Sequence, residues 1–533
     1  MVGVGLALFV LGFEVSALHQ SLPGYYNDDW ANGVYLHHQV HTALLDGRFA
    51  LDDPSQFHPF GYNPIHTNGG NVLEMLVSGF FRLFAPWPLW LSLGAMAWIP
   101  LNVLAFIPLG RRLWSSEWAV LSAAATWALF PPLLSQLQAG RLTQVAMVGA
   151  PLAIAGLLEL SEGAERKGVG LTAIGLALAG LGYWFNALFL AILSPVFLLH
   201  APADRRKRMV VDLLAAGGMA LLFVSPLLSV VFWPVLSGGS LPGTHIDPEA
   251  MPLVFPDALR LIGGQAPGLA DWMPLCALMG ILLSCWRGQR TRLWLVLGCV
   301  CVVFSMGPGQ RIGDTVVPMP YWLLWKGVPG LARMFHPDRW MLLGGVFISI
   351  MAVNGLASLR PRWSVLVPLG VMLQLWWRGT VPLSVWTPTA PGHWVELAKY
   401  EDRDAVIVFP LHGSQLAGQY QHVHGRALWG GMVEDQPWAH PDSWSDYEQL
   451  SPLMRSLRAL SYGRETRVDL RPADISRLQG DGFGWIVFDA HSWARSRWFG
   501  TLDPREQLRS SLGDPVFESE SGVIWRLGQS GPN

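Results

Sequence analysis

Asp28 and Asp29 stand directly behind an opening apolar run, Met1–Leu18, in a chain of 533 residues that is 51% hydrophobic and only 14% charged. The run is long enough to cross a bilayer, so the acid pair falls at the mouth of a transmembrane helix. Charge near hydrocarbon is expensive, and a membrane chain that keeps paired carboxylates there usually keeps them for work. A carboxylate at such a place can take a proton from a hydroxyl. The plainer explanation is helix capping: both acids precede a helical pattern over residues 30–46, and an Asp cap contributes about 1 kcal/mol. One aspartate suffices for a cap, and two are present.

Six of the fifteen histidines share this loop: His19, His37, His38, His41, His58 and His66. His37 and His41 are four apart and so lie on one helical face, the spacing of helical metal ligands, although no H-E-x-x-H pattern accompanies them. They are read first as surface or interface histidines. A divalent cation held by Asp28 or Asp29 with His37 or His41 is the second reading. Elsewhere, the stretch PGLARMFHPDRW (Pro329–Trp340) brings Arg333, His336 and Arg339 to the entry of a later apolar run. Guanidinium groups grip phosphates in a bidentate fork, so these residues, with Arg141, are candidates for a lipid phosphate. Arg311 and Lys326 are further basic residues of the same side. The structural alternative is an interfacial anchor or an ion pair with Asp338. Near the C-terminus, HGSQ (His412–Gln415) and QYQHVHGRALWGG (Gln419–Gly431) concentrate polar and aromatic groups, either as a plain turn-forming loop or as an acceptor-holding one. His58 and His424 are the acceptor-side candidates.

The elements that must position these groups are mostly membrane spans. Soluble proteins carry about 25% charged residues, so this composition is that of an integral membrane protein. Apolar stretches recur at 1–18, 88–110, 116–136, 145–160, 168–182, 185–200, 209–234, 272–286, 293–306, 339–358 and 364–378. This gives about 11 transmembrane helices. The stretch 71–86, broken by Glu74, Arg82, Pro86 and Pro88, reads as a re-entrant or interfacial helix. Basic residues cluster in alternate loops: Arg111–Arg112, Arg166–Lys167, Arg205–Arg208, Arg287–Arg292 and Arg360–Arg362. By the positive-inside rule these loops and the N-terminus are cytoplasmic. The long loop 19–87, the loops 235–271 and 307–338, and the C-terminus then lie outside. Residues 1–379 form the membrane domain. Residues 380–533 lack a spanning run and hold β-type runs at Ala405–Pro410, Gly484–Asp489 and Gly522–Leu527 with helix-like stretches such as Tyr447–Leu460 between them. They read as a small extracytoplasmic α/β domain.

Composition also excludes classes. The net charge of −2 and the lack of a basic arm argue against nucleic acid. The four cysteines all fall in apolar runs, which argues against a disulfide framework. Many of the 27 tryptophans are expected at membrane interfaces. No P-loop, G-x-S-x-G elbow, zinc cysteine cluster or dinucleotide fingerprint occurs. Any activated donor then comes from the membrane or the outer compartment.

The order of these parts resembles the GT-C superfamily of membrane glycosyltransferases, in particular its uncharacterised bacterial members. Asp28 and Asp29 match the acidic position of the family's first outer loop, and LLDGRF (Leu44–Phe49) through HPFGYNP (His58–Pro64) is similar to the rest of that loop. QAGRLTQ (Gln138–Gln144), PGLARMFHPDRW and HGRALWGG (His424–Gly431) resemble later elements. The acids are adjacent, so the D-x-D spacing of a metal-chelating pair is missing. The resemblance implies an inverting transferase of the bacterial inner membrane that moves a sugar from a polyprenyl-phosphate donor to a glycan, lipid or protein acceptor on the outer face. One aspartate would deprotonate the acceptor hydroxyl, and arginines would stabilise the departing lipid phosphate. The competing classes are a transporter, with Asp28 and the histidines lining a pathway, and a non-catalytic membrane scaffold or assembly protein. Bound polyprenyl beside Asp28 would mark the enzyme, and a midplane ion or solute the transporter. The topology is directly testable. A His440→Cys variant should react with an impermeant maleimide from outside the cell; labelling reachable only from the cytosol would overturn the architecture.

Overall fold

A backbone crossing hydrocarbon has to satisfy its own hydrogen bonds, and the apolar runs accordingly fold as helices. In the computed structural model these are Val2–Leu11, Leu89–Leu113, Glu117–Ala128, Gly149–Glu162, Glu165–Gly182, Trp184–His200, Arg206–Leu236, Leu275–Arg287, Thr291–Ser305, Trp340–Ala357 and Leu366–Trp377. The structure describes residues 1–47, 53–61, 72–236, 275–287, 291–312, 315–328, 331, 336–431, 441–462, 464, 468, 471–495 and 504–528. Contacts divide the chain into two units, Met1–Tyr25 with Gly69–Trp386, and Tyr26–Asn68 with Thr387–Asn533. The sequence reading kept loop 19–87 with residues 1–379; by contacts, its middle portion packs with the C-terminal residues instead.

Among the described residues of the first unit, four helices are long and apolar enough to cross a membrane: Leu89–Leu113, Leu142–Glu162, Arg206–Ser229 and Pro337–Ala357. Glu117–Ala128 and Pro131–Gln138, bent by 42° at Leu129–Phe130, make a fifth if taken as one span. The other expected spans are shorter. The opening run has ten α-helical residues, ends at Gly12 with φ 56°, and continues as a 3-10 turn through Ala17. Leu366–Trp377 has twelve residues. The 168–200 stretch is two helices broken at Tyr183 alone, whose backbone is extended. Within 71–86, the helix Val72–Arg82 is eleven residues long, roughly 16 Å, well short of a bilayer core.

The Gly149–Glu162 and Glu165–Gly182 helices form a hairpin in backbone contact. A Cβ added at Gly149 would lie 2.3 Å from Ala179 N, at Gly156 2.4 Å from Thr172 N, and at Gly175 2.3 Å from Ala153 N. Small residues let membrane helices approach closely enough for packing and weak backbone contacts to hold them.

The second unit is built on a sheet of four strands: β1 (Ala405–Phe409), β2 (Phe483–Asp489), β3 (Phe517–Glu518) and β4 (Gly522–Arg526), in the order β1-β2-β4-β3. Strands β1 and β2 are parallel; β4 runs antiparallel to β2 and to β3. Every residue of β1 and β2 is buried. Trp394, Leu397, Ala417, Leu428 and Trp485 join their valines in the core. The HGRALWGG segment extends this sheet beyond β1: Val406 N donates to Ala427 O and Trp429 N to Val406 O. Residues 55–58 then add a further lane, with Leu428 N bonded to Ser55 O, His58 N to Leu428 O and Phe57 N to Gly430 O. Phe57 adopts φ 50° there, a conformation costly for a bulky residue, and is fully buried against Trp444.

Two local expectations change. The helix-like stretch Tyr447–Leu460 is two helices, Asp442–Leu450 and Pro452–Ser461, because Pro452 starts a new helix capped by Ser451, whose Oγ accepts from Met454 N at 3.2 Å. Among the described residues nine tryptophans are fully buried, among them Trp98, Trp127 and Trp340 in the first unit and Trp394, Trp429 and Trp485 in the second, so these pack cores rather than interfaces. The hairpin yields a test. Gly175→Val should destabilise by about 1–3 kcal/mol or more, read as a lower melting temperature in detergent. Gly170→Ala, whose added Cβ meets nothing within 4 Å, should be neutral.

Candidate functional site

The acid pair opens the helix Asp28–Leu45, but neither acid caps it. Asn27 does: its backbone is extended and its side chain accepts from Trp30 N at 2.8 Å. Asp28 is exposed and Asp29 half-buried in the first helical turn, where the helix dipole favours a carboxylate by roughly 0.3–1 kcal/mol. The capping account of the pair is thereby replaced by Asn27, and the two carboxylates are left at the positive end of an 18-residue helix.

The buried face of this helix comprises Trp30, Ala31, Val34, Tyr35, Leu36, His37 and His41, whereas Leu44 and Leu45 are exposed. His37 and His41, read from sequence first as surface groups, are 1% and 4% exposed with rings 5.8 Å apart, edge to face. Among the described residues, no three His, Cys, Asp or Glu side chains converge to hold a metal ion. The helix packs on the 414–424 segment, so the QYQHVHG motif lies against it. Gln419 Nε2 donates to the Tyr26 hydroxyl at 2.7 Å, Tyr26 packs 5.3 Å from the His491 ring, and His38 packs 5.3 Å from His422. Burial holds the Tyr420 hydroxyl well above its ordinary pKa. Polar and aromatic groups of both motifs therefore share one unit.

The two acceptor-side histidines both hold contacts inside the second unit. His58 Nε2 meets Asp481 O at 2.8 Å and its ring packs edge-on against Phe483, pinning the loop to the sheet. His424 is 1% exposed, stacks 4.9 Å from Trp394, and accepts from Arg426 N at 3.1 Å. Burial, with Arg426 nearby, depresses its pKa to about 3, so it is neutral and cannot meet an acceptor. Arg426 is itself 1% exposed, paired with Asp402 and donating to the Asp404 and Tyr400 carbonyls. The HGR of HGRALWGG is thus a buried brace.

Among the basic candidates, Arg333 lies outside the described residues, as do His66 and the side chains of Arg311 and His412. His336 is exposed, 3.7 Å from Asp338. Lys326 is exposed and sits over the Trp322 ring at 4.4 Å. Arg141 is half-buried, with Nη1 3.4 Å from Gln136 Oε1. Arg339 donates to the Tyr183 hydroxyl and lies over its ring at 5.3 Å. It lines a cavity of about 310 Å³ within the first unit, together with Asp338, Gln136, Gln138, Gln374 and Arg378. Arg378 was not singled out from sequence. Its signal was the one that flagged Arg339: a cation at the end of an apolar run remote from the basic loops.

Neither a protein-family model nor a curated protein sequence matches the chain. Solved structures do. The whole chain overlays the mycobacterial arabinofuranosyltransferase AftD with a TM-score of 0.55 at 15% identity. The chain has the GT-C membrane fold. It covers 100% of itself but only 39% of AftD, so it spans about two fifths of that protein's length. The oligosaccharyltransferase of Archaeoglobus fulgidus in its apo form aligns over 92% of the chain and 70% of its own length at 12% identity, TM-score 0.49. ArnT of Cupriavidus metallidurans, bound to undecaprenyl phosphate, aligns over 100% and 98% at 14%, TM-score 0.41.

The buried histidine sets a pH dependence. His424 binds its proton far less readily in the folded chain than in the unfolded one. Its stabilising contribution is therefore complete above pH 6.5 and is lost as pH falls from 6.5 towards 3, by up to about 1.4 kcal/mol per pH unit. His422, depressed by burial, adds in the same sense. Melting temperature against pH should show this acid limb, and His424→Gln should flatten it, the carboxyl contributions being common to both proteins.

Proposed function

We propose that this chain is a membrane glycosyltransferase that moves a sugar from a polyprenyl-phosphate donor to an acceptor hydroxyl on the outer face of a bacterial inner membrane. The observation that carries the reading is the GT-C fold of the entire chain, with two uncapping carboxylates on the first turn of the helix that follows the opening run. The donor class is supported by the cavity that contains Arg339 and Arg378 and by a sequence without a nucleotide fingerprint. The N-terminus and the basic loops are assigned to the cytoplasm, and residues 380–533 to the outside.

In this reading Asp28 or Asp29 takes the proton of the acceptor hydroxyl as its oxygen bonds to the anomeric carbon. The bond from that carbon to the phosphate oxygen breaks, the configuration inverts, and the lipid phosphate leaves with the electron pair. Arginine stabilises the charge that develops on it, the kind of preorganised contact that lowers such barriers most.

Asp28→Asn and Asp29→Asn test the assignment. Asn27 already supplies the cap, so each variant should melt within about 1 kcal/mol of wild type. Loss of a general base should cut transfer roughly 10²–10⁴-fold. The measurement is transfer from a panel of radiolabelled polyprenyl-phosphate sugars by purified protein. Wild-type turnover in both single variants and the double variant removes the pair from the mechanism.

A further inference from the structure

The helix Arg206–Leu236 opens on three consecutive cations, Arg206, Lys207 and Arg208, directly after Arg205. Their partners divide them. Arg208 is an ion-pair residue, 3.0 Å from Glu165 and 3.4 Å from Asp212. Arg206 donates to Ala201 O at 3.1 Å and to Leu199 O at 3.0 Å, closing the end of the helix Trp184–His200. Arg205 reaches the carbonyl of Glu162. Among the described residues no carboxylate pairs with Arg205, with Lys207 or with Arg166, which stands in the first turn of the neighbouring helix Glu165–Gly182. All three are exposed. The Glu165–Arg208 pair joins the two helix starts, so these cations share one end of the helix pair. Lys207 also heads a stripe: Lys207, Val211, Leu214, Gly218, Leu222 and Ser225 are three or four apart and all exposed. The stripe extends about 27 Å at 1.5 Å per residue, close to the thickness of a hydrocarbon core. Ala216, Ala220 and Val224 face the protein instead. Among the described residues this is the least covered of the four long spans, with 28% of its apolar window buried against 67–89% for the others.

We propose that this end of the helix pair is a seat for an anionic glycerophospholipid, its phosphate among Lys207, Arg205 and Arg166 and an acyl chain along the stripe. The seat is independent of the transferase reading. Exposed apolar side chains on a span meet lipid in any membrane; the charge is what selects an anionic one. Around the two helix starts Arg112, Arg166, Lys167, Arg205, Arg206, Lys207 and Arg208 stand against Glu159, Glu162, Glu165, Asp204 and Asp212, seven cations against five carboxylates. Four of those carboxylates are already paired with Arg112, Lys167 or Arg208. Asp204 alone is left against the three cations of the seat. The helix dipole disfavours cations at this end, so they do not serve the helix. Basic residues beside a span attract anionic headgroups, whereas the ammonium of a zwitterionic headgroup offsets its phosphate. A free phosphate would meet the cations but leave the stripe uncovered, so the lipid is the occupant that fits both.

The test uses the full chain in dodecyl maltoside and three probes: dioleoyl phosphatidylglycerol, dioleoyl phosphatidylcholine, and glycerophosphoglycerol, which is the anionic headgroup without chains. Native mass spectrometry reads the apparent affinity of the first bound lipid. Phosphatidylglycerol should bind roughly tenfold more tightly than phosphatidylcholine, the preference expected of two or three basic contacts. Lys207→Gln and Arg166→Gln should each weaken it about fivefold, and the double variant more, with phosphatidylcholine unchanged. Neither side chain holds a protein group, so melting temperatures in lipid-free detergent should stay at the wild-type value. Arg362→Gln removes an exposed cation from a different basic loop and should bind phosphatidylglycerol as wild type does. The headgroup alone should fail to displace the lipid. Equal affinity for the two lipids, or an unchanged double variant, overturns the proposal. So does an equal loss in Arg362→Gln, which would mean diffuse surface charge and no seat. Displacement by glycerophosphoglycerol would mean an anion site that does not use the stripe, and overturns it as well.

Discussion

Helices in hydrocarbon gain nothing from hiding apolar side chains from each other, because the lipid is as apolar as they are. What holds them is closeness. The hairpin of Gly149–Glu162 and Glu165–Gly182 shows the constraint plainly, since at Gly149, Gly156 and Gly175 even one carbon would collide with the facing backbone. The same holds where a Cβ on Gly355 would lie 1.8 Å from Gly280 O, joining Leu275–Arg287 to Trp340–Ala357. The helices that bear Arg339 and Tyr183 are positioned by these contacts.

Charge in such a scaffold is treated in two ways. Glu159, nearly buried at the end of its helix, is matched by Arg112 at 3.4 Å and Lys167 at 2.5 Å, and Arg112 also meets Glu162. That cluster is self-satisfied and ties together the helices that contribute to it. Arg339 is different: it sits at the wrong end of a helix dipole and leans on a tyrosine. The contrast rests on partners, not on residue type.

Much of the helical layout was legible in sequence, because a run of apolar residues between basic loops has few alternatives to a helix in a membrane. The three main strands of the C-terminal sheet were legible for a related reason: AVIVFP, GWIVFD and GVIWRL are short, apolar and β-branched. What was overlooked had signals. Glycines recur every seven residues at 149 and 156, and at 168, 175 and 182, the mark of one helix face kept bare. Pro452 announced a helix start inside what reads as one helix. Arg378 broke the charge rule as openly as Arg339. The number of spans was less legible, because apolarity does not say where a helix stops: Gly12 ends the first one early.

By itself the sequence determined that the chain is a membrane protein, that its charge is gathered in a few loops and one C-terminal region, and that an acid pair opens a helix near the first apolar run. Each follows from local composition, which needs no partner to be read. Tertiary structure alone decided which segments complete one another. Residues 55–58 add a lane to a sheet whose strands lie more than 300 positions later, joined by backbone bonds that no side chain announces. It likewise decided that His37, His41 and His424 are buried, that Asn27 and not an aspartate caps the helix, and that Arg339 and Arg378 line one cavity. The physical reason is common to all of these. Burial, pairing and convergence are properties of distance in space, and distance along the chain does not encode them.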